Sequence, residues 1–200
     1  MASKKPAPKT DRHERTRELV LAAARELVLE AGADALSLRK VAERARFSPA
    51  SLYEYFDGKD EILRVLAERV VARLDASMAQ VPSSLAPLLR LVRYGQAYVR
   101  FARENREDFL LLFVRLRSKR MATAQPVEGG SPYGRILDAA REGIALGVID
   151  HRDPETVAYG LWGTAHGLAM LQLTHLEGFA IDFETVDAEV LRTHVEGLRP

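Results

Sequence analysis

The sequence predicts an all-α protein, and three observations carry that expectation. Apolar residues recur at three- and four-residue spacing from Leu19 to Leu198. Long alternations of apolar and polar residues, the mark of half-buried strands, do not occur between the turn residues. Helix-opening pairs stand before periodic segments at Ser48-Pro49, Ser131-Pro132 and Asp153-Pro154. Each joins a side chain able to bond an orphan backbone N–H to a proline with no N–H to lose.

Taken in order, Leu19, Val20, Ala23, Leu27, Val28 and Ala31 form the inward stripe of a first helix, which Gly32 ends. Ser37 precedes a short second helix from Leu38 to about Ala45. Ser48 caps a third, expected to run to about Phe56, where Asp57-Gly58 breaks it. A fourth, with Asp60 and Glu61 in its first turn, continues to about Met78. Residues 81–84, "VPSS", are the clearest linker. Leu85, Leu88, Leu89, Val92, Val99 and Ala102 mark a fifth helix ending near Asn105. Asn105 with Asp108 resembles a capping box for the apolar "FLLLFV" segment. Residues 118–131 read as a mobile loop. Ser131-Pro132 opens a helix to Gly147, and Asp153-Pro154 opens the next. The last helix uses Phe183, Val186, Val190, Leu191, His194 and Leu198. No internal repeat is evident.

Composition narrows the function. Two hundred residues, 47% hydrophobic and 28% charged, suffice for one long domain or two short ones. Cysteine is absent, which excludes disulfide scaffolds, thiolate zinc sites and cysteine nucleophiles. The net charge of +1 announces no polyanion partner, but it is unevenly placed. Residues 1–17 hold Lys4, Lys5, Lys9, Arg12, Arg15 and Arg17 against Asp11 and Glu14, a net of +4 that leaves −3 for the rest. A basic arm is a common nucleic-acid device, and equally a solvated tail. "MASKKPAPKT" has no apolar h-region, so it does not read as a signal peptide, and a cytoplasmic location is expected. Thr156 to Leu176 lacks Asp, Glu, Lys and Arg, but polar residues and three glycines interrupt it. It reads as a buried helix rather than a membrane span. There is no P-loop, GxSxG, HExxH or strand-borne GxGxxG, so no enzyme is expected. No cofactor or metal is expected either: His13, His151, His175 and His194 have no partner at ligand spacing.

The segment that carries chemistry is residues 37–63, "SLRKVAERARFSPASLYEYFDGKDEIL". Two short helices joined by three or four residues are a helix-turn-helix candidate. Leu38, Val41 and Ala42 turn one helix inward, Phe47 fills the turn, and Leu52 and Phe56 turn the other inward. Pro49, Ala50, Ser51, Tyr53 and Tyr55 are left to face outward. The small residues come first and the aromatics later, as a helix whose first turn sits close to base edges requires. The alternative is a plain helical hairpin with two surface tyrosines.

Residues 12–64 resemble the DNA-binding domain of TetR-family transcriptional regulators. The resemblance rests on "RTRELVLAAARELVLEAG", "SLRKVAERA", "SPASLYEYF" and "GKDEIL" at their spacing. It implies an N-terminal three-helix head, a connecting fourth helix, and a larger C-terminal helical body for ligand binding and dimerisation. The expected division is a basic disordered arm at 1–10, the head at 11–58, the connecting helix at 59–80 and the body at 81–200. A second resemblance lies in "YGLWGTAHGLAML", residues 159–171, which is similar to the Trp-x-x-x-His-Gly signature of one group of TetR-family C-terminal domains.

Carried over residue by residue, Ser37 and Arg39 open the helix that crosses the DNA backbone. Arg39 is the candidate for a bidentate guanine contact; the alternative is an ion pair with Glu43 one turn on. Ser48, Pro49, Ala50 and Ser51 open the recognition helix. Tyr53 is placed against a base or phosphate and Tyr55 against a phosphate. Lys59 sits in the first turn of the fourth helix, where a cation opposes the helix dipole unless a phosphate approaches. The alternative is a solvated lysine between Asp57 and Asp60. Arg46 stands where the family pattern has glycine, so positive φ is expected of a non-glycine residue there. Glu54 and Asp57 bring negative charge near the same surface.

The resemblance further implies a homodimer on a double-stranded palindromic operator, most simply as a repressor released by a small apolar or amphipathic effector. Candidate effector-lining residues are Tyr94, Tyr98, Phe101, Phe109, Phe113, Trp162, His166 and Met170; each has core packing as its alternative. Gly160, Gly163 and Gly167 permit close helix approach, which points to the last two helices as the dimer interface. The remaining alternatives are an effector-independent DNA-binding protein and a helical protein adaptor.

Overall fold

The computed structural model describes residues 9–116 and 131–200. Among them it is helical throughout, with no strand. The basic arm expected at residues 1–10 lies almost wholly outside the described residues. So does the loop expected at 118–131, apart from Ser131.

The helices are α1 (Lys9–Ala31), α2 (Leu38–Ala45), α3 (Pro49–Leu52), α4 (Lys59–Met78), α5 (Pro87–Glu104), α6 (Arg106–Leu110), α7 (Pro132–Ala145), α8 (Pro154–Thr174) and α9 (Phe183–Glu196). A 3₁₀ turn at Ala33–Ala35 and a π-helical turn at Leu111–Arg115 complete the set. Serine caps act as the sequence requires. Ser37, Ser48 and Ser131 each accept a hydrogen bond from a backbone N–H three residues on. Gly32 leaves α1 at φ 79°.

The chain divides into two compact units. The first holds residues up to Arg69 and the segment from Leu110. Its core is Val20, Leu21, Ala24 and Val28 of α1, with Leu36, Val41, Ala42, Leu52, Phe56, Ile62, Leu63 and Leu66. Arg44 of α2 reaches α1 at Glu26 and Glu30, 3.0 and 2.9 Å away. Arg69 pairs with Glu18 of α1 and holds that carboxyl below its usual range.

The second unit holds Val70–Phe109 and the described residues 131–200. In it α5 packs against α7, α8 and α9. Tyr94, Tyr98 and Phe101 of α5, Leu161 and Ala165 of α8, and Leu191 of α9 are buried. Gly95 makes this packing possible: a Cβ there would lie 2.7 Å from the Leu191 methyl. No described helix is long and apolar enough to cross a membrane.

Four sequence expectations need correction. The third helix ends at Leu52, and residues 53–55 continue as turns rather than as helix to Phe56. In α1, Leu19 is 57% exposed and Ala31 is exposed, while Leu21 and Ala24 are buried. A 3.6-residue period admits neighbouring stripes in so uniformly apolar a stretch. In α9, Val186 and Val190 face outward, and Asp187 and Val195 take the inner positions. Asn105 ends α5: its side-chain amide donates to Phe101 O at 3.0 Å, and Arg73 pairs with both Asn105 and Asp108.

Candidate nucleic-acid interface

The head is built by burying one side of a short motif and leaving the other side open. Val41, Ala42, Leu52 and Phe56 are at most 2% exposed, so α2 packs on α1, and α3 on α2, through their inner faces. That burial removes apolar area worth about 25 cal/mol per Å² and fixes the outer face by default. Ser48 Oγ accepts from Ser51 N–H at 3.2 Å and so starts α3. Ser51 Oγ donates to Ser48 O at 2.8 Å, closing the turn on itself. Pro49, Ala50 and Tyr53 then stand in solvent, with Tyr53 63% exposed and Ser51 half-buried.

Arg46 adopts φ 62°, ψ 42°, as its place in the motif requires, and its N–H bonds the carbonyl of Glu43 at 3.2 Å. This left-handed residue ends α2 and redirects the chain into α3. Ser37 caps α2, and Arg39, two residues on, is exposed. Among the described residues Arg39 pairs with no carboxylate, so the alternative ion pair with Glu43 does not form. Lys59 begins α4 and donates from Nζ to Asp34 O at 3.3 Å.

Tyr55 is half-buried rather than free. Its ring lies 4.6 Å from that of His13, at an interplanar angle of 33°. Its carbonyl accepts from Arg17 Nη1 at 2.5 Å. Arg17 also lies 4.1 Å over the Phe56 ring and 3.4 Å from Glu61 Oε1. Arg17 is therefore engaged inside the head rather than simply one more charge of a basic arm. Glu61 Oε2 accepts from Asp57 N–H at 2.6 Å; this bond, then Arg17, holds the Glu61 carboxyl below its ordinary range. Counting charge hid Arg17. Its spacing of three, four and seven residues before Val20, Leu21 and Ala24 was the available signal, because it places Arg17 on the buried stripe.

The second unit brings several of the expected effector-lining residues together. Tyr98 Oη lies 3.0 Å from His166 Nδ1 and accepts from Trp162 Nε1 at 3.2 Å. Phe109 meets Tyr98 edge-on at 5.6 Å and tilts over His166 at 5.7 Å. Tyr133, which the sequence did not single out, packs against Trp162 at 5.8 Å. Burial raises the Tyr98 hydroxyl well above the ordinary phenol range and lowers the His166 imidazole. Burial, then Glu155, pushes Tyr133 up to about 12. Tyr94 and Phe101 are buried on α5, and the Phe101 ring lies 6.0 Å beneath Arg73. Met170 is half-buried on α8, and Phe113, also half-buried, belongs to the first unit. Among the described residues no cluster of three His, Asp or Glu residues is placed to hold a metal.

Known proteins agree with this architecture. Residues 20–66 match the family model of bacterial regulatory proteins of the tetR family. Residues 91–198, more than half of the chain, match the tetracyclin repressor-like C-terminal domain. An uncharacterized HTH-type transcriptional regulator from Bacillus subtilis, YdeS, is 40% identical over 63 residues. That alignment covers 32% of this chain and 30% of YdeS. A Rhodococcus protein of unknown function superposes with a TM-score of 0.72 at 28% identity, over 92% of this chain and 96% of that one. The fatty acid degradation regulator FadR from Bacillus halodurans shares the fold, with a TM-score of 0.71 at 16% identity over 98% and 99% of the two chains. The exposed face of a left-handed helix-turn-helix turn and these matches lead to one assignment: the chain belongs to the TetR family of DNA-binding transcriptional regulators, a family of regulators and not of enzymes.

Proposed function

We propose that the protein is a ligand-responsive repressor that binds a palindromic operator as a homodimer and is released by a small apolar or amphipathic effector. The observation that carries the DNA reading is the uncommitted outer face of the head. Arg39 on the capped α2, Pro49 and Ala50 on the capped α3 and Tyr53 just after it are all exposed, and Arg39 has no acidic partner among the described residues. In this reading the head is 11–58, the connector 59–80 and the body 81–200. Ser37 and Arg39 approach the groove from α2. Ser48, Pro49, Ala50 and Ser51 let α3 sit close to base edges, Tyr53 reaches a base or phosphate, and Tyr55 and Lys59 dock on phosphates. The site of action is cytoplasmic.

The effector reading rests on polar groups placed among aromatic rings. Tyr98, Trp162 and His166 offer a hydroxyl, an N–H and an imidazole against the apolar surface of Phe109. The Trp162-x-x-x-His166-Gly167 run forms one wall of that site; Tyr94, Phe101 and Met170 of the same unit extend the set. The dimer reading rests on the exposed Tyr159, Gly163 and Leu171 of α8 and the exposed Val186 and Val190 of α9. A two-fold dimer demands two-fold half-sites.

Sedimentation and operator titration test the assembly: a dimer that binds a two-half-site duplex and loses affinity for a single half-site is expected. A monomer that binds both equally contradicts the reading. A thermal-shift screen of apolar and amphipathic compounds, followed by DNA release, tests the switch. Compounds that stabilise the protein without releasing DNA would favour an effector-independent regulator.

A further inference from the structure

We propose that Arg17 is the positioning residue of the DNA-docking turn, so that α1, and not the helix-turn-helix alone, sets how the head meets the phosphate backbone. The proposal rests on the reading that Tyr55 and Lys59 dock on DNA. Both belong to the connection that leaves α3 at Leu52 and enters α4 at Lys59. The N–H groups of Glu54, Tyr55 and Phe56 bond back to Ser51 and Leu52, but the Tyr55 carbonyl and the Asp57 N–H find their partners in side chains of α1 and α4.

Three groups of that connection are held from α1 and α4. Arg17 Nη1 bonds the carbonyl of Tyr55 at 2.5 Å. The Arg17 guanidinium covers the ring of Phe56 at 4.1 Å, and Phe56 is 2% exposed. Glu61, itself 3.4 Å from Arg17 Nη2, accepts the N–H of Asp57 at 2.6 Å. One turn before Arg17, His13 lays its ring on Tyr55. A guanidinium does all of this at once: its edge donates to a carbonyl and a carboxylate while its flat face meets a ring. A lysine ammonium can keep the carbonyl bond but has no flat face. Glu61 neutralises Arg17, so its effect on DNA affinity comes from where it places Tyr55 and Lys59, not from its own charge.

The test uses the full chain and a duplex enriched by the protein from random DNA. Arg17→Met keeps the apolar stem and removes the donors. It is expected to weaken binding about tenfold for every sequence and to lower the salt slope by about 1–2, because both phosphate contacts loosen. Arg17→Lys is expected to recover part of the loss. In a double-mutant cycle, Lys59→Ala should cost the wild type clearly but cost Arg17→Met little more. Circular dichroism establishes that each variant is folded, and Arg17→Lys carries the test if Arg17→Met is not. Wild-type affinity in Arg17→Met, or an equal loss from Lys59→Ala in both backgrounds, overturns the positioning role alone. If Lys59→Ala and Arg39→Ala leave wild-type binding unchanged, the docking reading fails and this proposal falls with it.

Discussion

Arg46 holds a conformation that costs an ordinary L-residue about 1–2 kcal/mol, and no glycine relieves it. Arg46→Gly should therefore raise the unfolding free energy by about 1 kcal/mol, read from denaturant midpoints. A lower midpoint would mean that the turn draws stability from the arginine side chain itself. Its neighbours divide by task. Arg39→Ala should relax preference at one base pair and cost about 1–3 kcal/mol on the preferred sequence. Lys59→Ala should weaken all sequences alike and reduce the salt slope by about 1. Fluorescence anisotropy on a small panel of duplexes at several salt concentrations separates the two patterns. Among the described residues Lys59 Nζ donates only to the Asp34 carbonyl, at 3.3 Å, so it has little to give up when a phosphate approaches.

At the scale of elements, helix starts were legible because capping is local chemistry. Ser37, Ser48 and Ser131 each cap the helix that their position announces. The left-handed turn at Arg46 was legible only through the family resemblance, whose pattern has glycine at that position. Helix ends and faces were less so, because tertiary packing decides them. Tyr53 to Tyr55 leave the helix although nothing local breaks it, and Arg17 bonds the Tyr55 carbonyl thirty-eight residues away. Val186 and Val190 look like core by period, yet Asp187 is buried with Gln172 at 2.7 Å and Arg103 at 3.8 Å. Two glycines give opposite predictions. Gly95→Ala drives a Cβ against the fully buried Leu191, so overpacking of about 1–3 kcal/mol outweighs the gain in helix propensity and the melting temperature falls. Gly163→Ala meets nothing within 4 Å, so the fold of one chain gains about 0.5–1 kcal/mol. If α8 packs against a second copy there, the same methyl weakens the dimer. Sedimentation equilibrium checks this, and an unchanged dimer constant removes Gly163 from the interface.

At the scale of the molecule, burial makes stability depend on pH. His166 and His194 are both lowered by burial, so the unfolded chain binds more protons than the folded one below the ordinary imidazole value of about 6.5. Their contribution is present at neutral pH and lost as the pH falls through that window. The melting temperature should drop by about 2–4 °C between about pH 7.5 and 5.5, and His166→Gln with His194→Gln should flatten the curve. Asp187, raised by burial, acts with the opposite sign and only at lower pH, where protonation relieves its buried charge. The central claim remains that a chain of net charge +1 reads DNA through one face of its head. Selection of binding sites from random duplex DNA by the purified protein, at low and at moderate salt, tests it most directly. An enriched two-fold symmetric site whose binding falls steeply with salt is the predicted result. Failure to enrich any sequence at either salt would contradict it.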